Sequence, residues 1–559
     1  MSRRTAKVNK FVKRKNRRKL IRTILQFIVL IAVGYWIVNA LTTINEYEEG
    51  DRASWSNTKQ FIAVSYFGVA RSATSDHMAK AELGAQLKAL KDHGYETISQ
   101  QDIIDFYEKG SPLPDKALYL AFEDGRNDSA LFSTKLLEKY NYKATMLSYA
   151  SKMGSKQGKF LQPKELLSMT KKGFWELGSN GYRLAYINIL DKDERYFPLL
   201  TQEEFYNKQD AFYYTHYLMD YIRDVYDIPL ETKTEMQERI QFDYDEMERI
   251  YTSKLGYVPG TYMIMHADTL YNGMESAVEE VNDRNIRELF NLHFNREGKL
   301  LNTAGADRYD LTRVQPAPYW RTNHLLMKLS LDIGEDVSFV LGDEQEAEAW
   351  DIDGGVAEFQ PEEIALTTRP GEAATMKLKD LKHADNFSLK LTIGGHSSGV
   401  QLVKLGAAAD GSVKLQLRVE NEHVYVEQLY ANGEVERLLG VRGKDAALGD
   451  IPVELQMVNG QMTVAIDNEL VMEQEQIDPA ITNWNMELEA YSLQEENRWE
   501  DEGDHIYDGV FKAITLSNLD SNGQVTEQVY SNKLEAWDKL VFTIKSTYNS
   551  LIDWAIVTF

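Results

Sequence analysis

Apolar residues follow two different periods along this chain, and the change of period near residue 335 divides it. Before that point, short unbroken apolar runs alternate with stretches of helical spacing. FIAVSYFGV over residues 61–69 predicts a buried strand, residues 81–93 an amphipathic helix, and residues 95–99 a short strand leading to a helix over 102–109. The run 117–122 is apolar throughout and stops at Glu123-Asp124-Gly125. Leu131, Phe132, Leu136 and Leu137 then recur at helical spacing, and residues 144–149 form the next strand. The same grammar predicts a helix over 164–172, a strand at 174–178, helices near 233–251 and over 279–291, and a strand at 292–295. Strands that are apolar on both faces and separated by helices point to a parallel sheet covered by helices. One stretch breaks the pattern. Phe205, Tyr206, Phe212, Tyr213, Tyr214, Tyr217, Tyr221 and Tyr226 fall at roughly helical spacing and read as a core stripe.

Beyond residue 335 the period becomes two. Alternating runs from 359 to 517 are separated by Asp410-Gly411, Asn432-Gly433 and Asn459-Gly460, pairs that favour hairpin turns. Nine or more short strands at this spacing predict an all-β sandwich of jelly-roll type. Residues 532–558 place Leu534, Trp537, Val541, Ile544, Tyr548, Leu551 and Ala555 on one near-heptad stripe, which can face the protein itself, a partner or a membrane leaflet.

The first 41 residues follow a third pattern. Residues 23–41 are nineteen uncharged residues, long enough to span a bilayer, and no small-residue cleavage site follows them. Residues 1–22 carry eleven Lys or Arg and no acid, so the net charge of −24 divides into +11 there and −35 over the rest. The basic flank predicts a cytoplasmic N-terminus, a single-pass anchor in the cell membrane and an extracellular bulk. An acidic body excludes a nucleic-acid partner, and the absence of cysteine excludes disulfides and thiolate sites. The expected organisation is a cytoplasmic tail (1–22), a transmembrane anchor (23–41), a linker (42–59), an α/β domain (60–335), a second linker (336–357), the sandwich (358–520) and a C-terminal amphipathic helix (530–559).

The candidate chemistry sits where the strand 117–122 ends. A carboxyl pair at the C-terminal end of a parallel strand occupies the edge where ligands bind in α/β folds. The run Ala121-Phe122-Glu123-Asp124-Gly125 resembles the Thr-Phe-Asp-Asp-Gly motif of the NodB-homology polysaccharide deacetylases, carbohydrate esterase family 4. The approach to it, QLKALKDHGYETISQQDIIDFYEKGSPLPDKALYLAFEDG, resembles that family element by element. The resemblance covers roughly residues 60–335 and implies a deacetylase-type (β/α) barrel. It implies Glu123 at the catalytic-base position and Asp124 at a metal-ligand position. It also implies that Asn180 and Leu184 stand where the family has its two metal-binding histidines, and Phe67 where some members have a histidine after tyrosine. Residues 257–262 resemble the family's Pro-Tyr-Gly-x-Tyr motif in altered form, and residues 307–313 the stretch before its last barrel strand.

A hydrolytic zinc needs three protein ligands and an open position for water. One carboxylate, an amide and a leucine do not supply them. Metal ligands are therefore expected to be absent and the family's divalent metal lost, with an oxygen-rich site from Glu123, Asp128 or Glu176 as the minor alternative. His93, His216 and His324 read as structural. The expected sugar contacts are Asn180, Tyr182, Tyr262 and Arg313 in the barrel and Trp484 and Trp499 in the sandwich, whose strand order resembles concanavalin-like and laminin-G domains. Asp501, Glu502, Asp504 and Asp508 read as a solvated acidic loop, with calcium binding the alternative. The function expected is a non-catalytic protein that binds an exopolysaccharide or cell-wall glycan beside a polysaccharide synthase. An active deacetylase or glycan hydrolase using Glu123 and Asp124, and a protein-binding scaffold, are its rivals.

Overall fold

The computed structural model describes residues 19–32, 34–35, 45–155, 158–201, 204–205, 211–265, 270–271, 273–379, 385–443, 450–493, 504–534, 539–541, 543–544 and 547. The chain divides into two compact units, residues 1–46 with 536–559, and residues 47–535. In the first unit, residues 19–32 and 34–35 are helical and exposed. Among the described residues no helix is long and apolar enough to cross a membrane. The remainder of the expected span, and most of the expected C-terminal helix, lie outside the described residues.

The second unit holds both predicted folded domains. Strands Gln60–Tyr66, Ala117–Phe122, Ala144–Tyr149, Trp175–Gly181, Thr261–Met263, Leu292–Glu297 and Leu311–Arg313 are neighbours in that order, all parallel. The sheet returns on itself: Ser65 N–H donates to the Val314 carbonyl at 2.9 Å, and Val314 N–H to that of Ala63 at 3.1 Å. Closure sorts the side chains by parity. Leu118, Leu120 and Phe122 point outward into the helix layer, while Ala117, Tyr119 and Ala121 point into the barrel with Phe61, Ala63, Leu147, Met263, Phe294 and Leu311. The helices start and stop where local chemistry allows. Ser99 and Asp102 make a capping box for Gln100–Lys109, and Thr232 and Glu235 one for Lys233–Leu255, which ends on Gly256 at φ +88°.

Three expectations need correction. The stretch 42–59 is not a free tether from Tyr47 onward. Tyr47 N–H donates to the Lys172 carbonyl at 2.9 Å, its ring packs on Phe174, and Arg52 pairs with buried Asp102 at 2.6 Å. The aromatic stretch is not a helical stripe. Phe212, Tyr213 and Tyr214 lie on Ala211–His216, an outer strand of a three-stranded antiparallel sheet whose central strand is Ala185–Asp191 and whose other outer strand is Tyr196–Thr201, while Tyr206 lies outside the described residues. Tyr186, Phe205 and Tyr214 pack against one another, tilted or edge to face, a contact that sequence spacing alone cannot distinguish from a helix face. Finally, the second linker contains structure. Trp350–Asp353 and Gly355–Gln360 are already sandwich strands, because Trp350 is buried in that core.

The sandwich comprises an antiparallel seven-stranded sheet and an antiparallel eight-stranded sheet closed over one apolar core. It is fastened to the barrel by charge. His324, on the last barrel helix Thr322–Ile333, lies between two sandwich carboxylates, with Nδ1 2.9 Å from Asp508 and Nε2 2.9 Å from Asp504. Asp508 also accepts from Arg321 N–H at 2.9 Å and from the Thr367 hydroxyl at 2.7 Å, and Arg321 pairs with Glu363 at 2.8 Å. Asp504 and Asp508 are thus not a solvated loop; Asp501 and Glu502 lie outside the described residues. Burial alone would lower the His324 pKa, but Asp508 and Asp504 outweigh it and raise it to about 9. Burial opposes the charge of Asp508 as well, and His324 nonetheless holds its pKa below the ordinary carboxylate value.

Because the folded imidazole is the more basic, its contribution is complete below the unfolded pKa near 6.5 and is lost as pH rises through about 9. His324→Gln should therefore destabilise the full chain at pH 6 by roughly 2–4 kcal/mol. That difference should shrink steadily between pH 6.5 and 9.5 in chemical unfolding. A difference independent of pH would show that the ion pair contributes nothing.

Candidate functional site

The inward parity of the strand Ala117–Phe122 continues through Ala121 to Glu123, which places that carboxyl inside the C-terminal end of the barrel, fully buried. Ser65 and Arg313 reach the same layer by the same alternation from Phe61 and Ala63 and from Leu311. The Ser65 hydroxyl donates to Glu123 Oε1 at 2.5 Å, and Arg313 Nε stands 3.8 Å from the same oxygen. Arg313 also donates from Nη2 to Glu297 at 2.6 Å and to the Ile264 carbonyl at 3.0 Å, and from Nη1 to the Arg296 carbonyl at 3.0 Å. Burial raises the pKa of Glu123, with Arg313 pulling in the opposite direction.

Asp124 turns the chain out of the strand. It and Gly125 have φ of +66° and +60°. A Cβ at Gly125 would lie 2.8 Å from that of Ser148, so the turn requires glycine for both conformation and space. Asp124 N–H donates to Asn180 Oδ1 at 2.9 Å, and Asn180 Nδ2 donates to the Met263 carbonyl at 2.9 Å. Asn180 is a strut across three strand ends with its amide engaged on both sides. Asp124 is 3% exposed, and its Oδ1 has no hydrogen-bonding partner among the described residues. Burial, and then the adjacent Glu123, push its pKa up to about 7. The group is a desolvated acid that is largely neutral below neutral pH.

Above this layer the barrel end is apolar. Tyr149, Leu184, Tyr186, Ile189, Leu200 and Met265 form one buried cluster, with Phe67 packed against it. Two positions at which the family resemblance implies histidine, Phe67 and Leu184, thus share an apolar cluster, and the third, Asn180, is a structural amide. This donor set does not fit the divalent metal that the resemblance implies. Among the described residues no group of three or more His, Asp or Glu is placed to hold an ion. Asp128 is taken up by Arg126 at 2.8 Å, and Glu176 accepts Gln100 N–H at 2.9 Å at the opposite end of the barrel.

The expected sugar contacts fare unevenly. Tyr262 alternates outward from Met263 and is fully buried between Phe290 and His293, with ring centroids at 4.8 and 4.9 Å. It is a core residue, and parity is the reason. Arg313 is likewise sealed inside the barrel, and Asn180 is 2% exposed, so neither can meet a glycan as expected. Tyr182 is half-buried against Phe242. Trp484 is half-buried on the sandwich, stacked edgewise on Phe387, and Trp499 lies outside the described residues. The sequence reading missed Ser65 and Glu297, although the alternation from Phe61 could have found Ser65. His216 is buried, its Nδ1 accepting Leu218 N–H at 3.2 Å, and His93 closes its helix as expected.

Residues 110–263 match the family model described as polysaccharide deacetylase. YxkH of Bacillus subtilis (strain 168), a polysaccharide deacetylase by name, is 25% identical over 111 residues, 20% of this chain and 40% of that protein. The chain is also similar to the solved de-N-acetylase of Aggregatibacter actinomycetemcomitans, at 18% identity and a TM-score of 0.38, covering 48% of this chain and 98% of that one. The carbohydrate binding module CBM66 from Bacillus subtilis matches at 10% identity and a TM-score of 0.23, over 30% of this chain and 94% of the module.

A carboxyl whose folded pKa is raised to about 7 favours folding fully below its ordinary value of 3.8 and loses that advantage as pH rises through 7. Asp124→Asn keeps the shape, tolerates the positive φ and removes the ionisation. It should stabilise the protein by about 1–3 kcal/mol at pH 8 and change little at pH 4, read by urea unfolding at both values. Destabilisation at pH 8 would mean that a charged Asp124 is held by a partner.

Proposed function

We propose that this chain, which carries a polysaccharide deacetylase domain, binds or guides an exopolysaccharide or cell-wall glycan without deacetylating it. We place it in the cell membrane through residues 23–41, with residues 60–559 outside, as an accessory to polysaccharide synthesis or export. The observation that supports a non-catalytic barrel best is the replacement of the metal ligands by one strut and one apolar contact. Asn180 is spent on Asp124 N–H and the Met263 carbonyl, and Leu184 belongs to the buried cluster with Phe67. No member of that set presents a lone pair to an open position, which hydrolysis by a metal-bound water requires.

The purified full chain should release no acetate from N-acetylated oligosaccharides, with or without added zinc or cobalt. Chelator-sensitive release, abolished by Glu123→Ala, would instead establish the active-enzyme reading. Protease added to intact cells should digest the barrel and the sandwich, because the eleven cations of residues 1–22 keep the N-terminus inside. Protection of both domains until lysis would refute the placement outside.

A further inference from the structure

The barrel and the sandwich enclose a cleft of about 500 Å³, whose lining does not include Glu123 or Asp124. Its barrel wall is the loop over residues 73–75, Glu82 and the segment 318–321; its sandwich wall is the turn 395–397, the hairpin end 419–422, Asp450 and Lys512. Tyr319 lies flat on His396 across the junction, ring centroids 3.9 Å apart and planes within 10°, yet remains 42% exposed. The two domains together therefore build one aromatic platform that neither has alone.

Around the platform the charges are already matched to each other. Lys512 holds Asp450 at 2.9 Å through both carboxylate oxygens, and Arg321 bridges Glu363 at 2.8 Å and Glu82 at 3.5 Å. Glu422 is paired with Arg442 at 2.7 Å. Fixed carboxylates of this kind accept hydrogen bonds from hydroxyl groups without having to be neutralised by the ligand. The two lining cations, Arg321 and Lys512, are both engaged by carboxylates, so an acidic polymer gains little from them. One ring face among oriented hydroxyl acceptors suits a sugar, which has an apolar C–H face and a polar edge, better than it suits a lipid or an acidic polymer.

We infer that this interdomain cleft is a binding site for a neutral or amine-bearing oligosaccharide, with Tyr319 as its stacking platform. The site depends on the docking of the two domains and not on the chemistry of the barrel end, so acetate release would leave it standing.

Titration calorimetry of the full chain in detergent tests it with cellopentaose, chitopentaose, de-N-acetylated chitopentaose and pentagalacturonate as probes. At least one of the first three should bind and the galacturonate should not. Tyr319→Ala should weaken binding by about tenfold, while Tyr319→Phe stays within about threefold. Ser75→Trp, at an exposed position on the rim, should block the cleft sterically with no buried group removed. Binding untouched by Tyr319→Ala and Ser75→Trp but lost in Trp484→Ala would move the site to the sandwich surface and overturn the inference. Preference for the galacturonate, or no binding by any probe, would overturn it as well.

Discussion

A carboxyl group inside a closed barrel must either give up its charge or be paired with a cation, and the organisation of this domain follows from that constraint. The sheet closes through Val64 and Val314, which leaves Glu123 with no solvent. Ser65 and Arg313 answer for Glu123, Arg313 is in turn held by Glu297 and two carbonyls, and Asp124 meets the constraint through a pKa raised to about 7. Pairing, hydrogen bonding and protonation are three routes out of the same desolvation penalty, found within two adjacent residues.

A polar gap among strand ends is costly, about 1–3 kcal/mol for each unsatisfied group. Asn180 fills such a gap by bonding both neighbours, while Leu184 and Phe67 meet in an apolar cluster together with residues of the three-stranded insertion. Asn180 is thus a strut, and Leu184 and Phe67 are core.

The same electrostatic logic appears at the junction between the domains, with the opposite outcome. His324, Asp504 and Asp508 keep their charges because they compensate each other across the interface, and Arg321 extends the pairing to Glu363. Barrel and sandwich are consequently one compact unit. Domains fixed in this way can share a binding surface, which two domains on a flexible linker could not hold in register. The Tyr319–His396 stack is one such shared element.

Periodicity alone determined the two fold classes, the parallel strand–helix grammar up to residue 335 and the alternating strands after it, because both periods are local properties of the chain. It also located the strand end at Glu123-Asp124-Gly125, whereas the reading of Asn180 and Leu184 as histidine positions came only from the family resemblance. Which face each residue occupies was decided only when the barrel closed. Tyr262 and Arg313 look equally like sugar contacts in a linear reading; parity sends one into the helix layer and the other into the sealed interior. The strand Ala211–His216 was misread as part of a helical stripe because aromatic spacing over a short irregular stretch fits both periods, and only its pairing with Ala185–Asp191 resolves it. Asp504 and Asp508 looked like solvent-facing acids because their partner, His324, lies some 180 residues away in sequence. Contacts at that separation leave no local trace. The tertiary structure alone brings them together, and with them the cleft between the two domains.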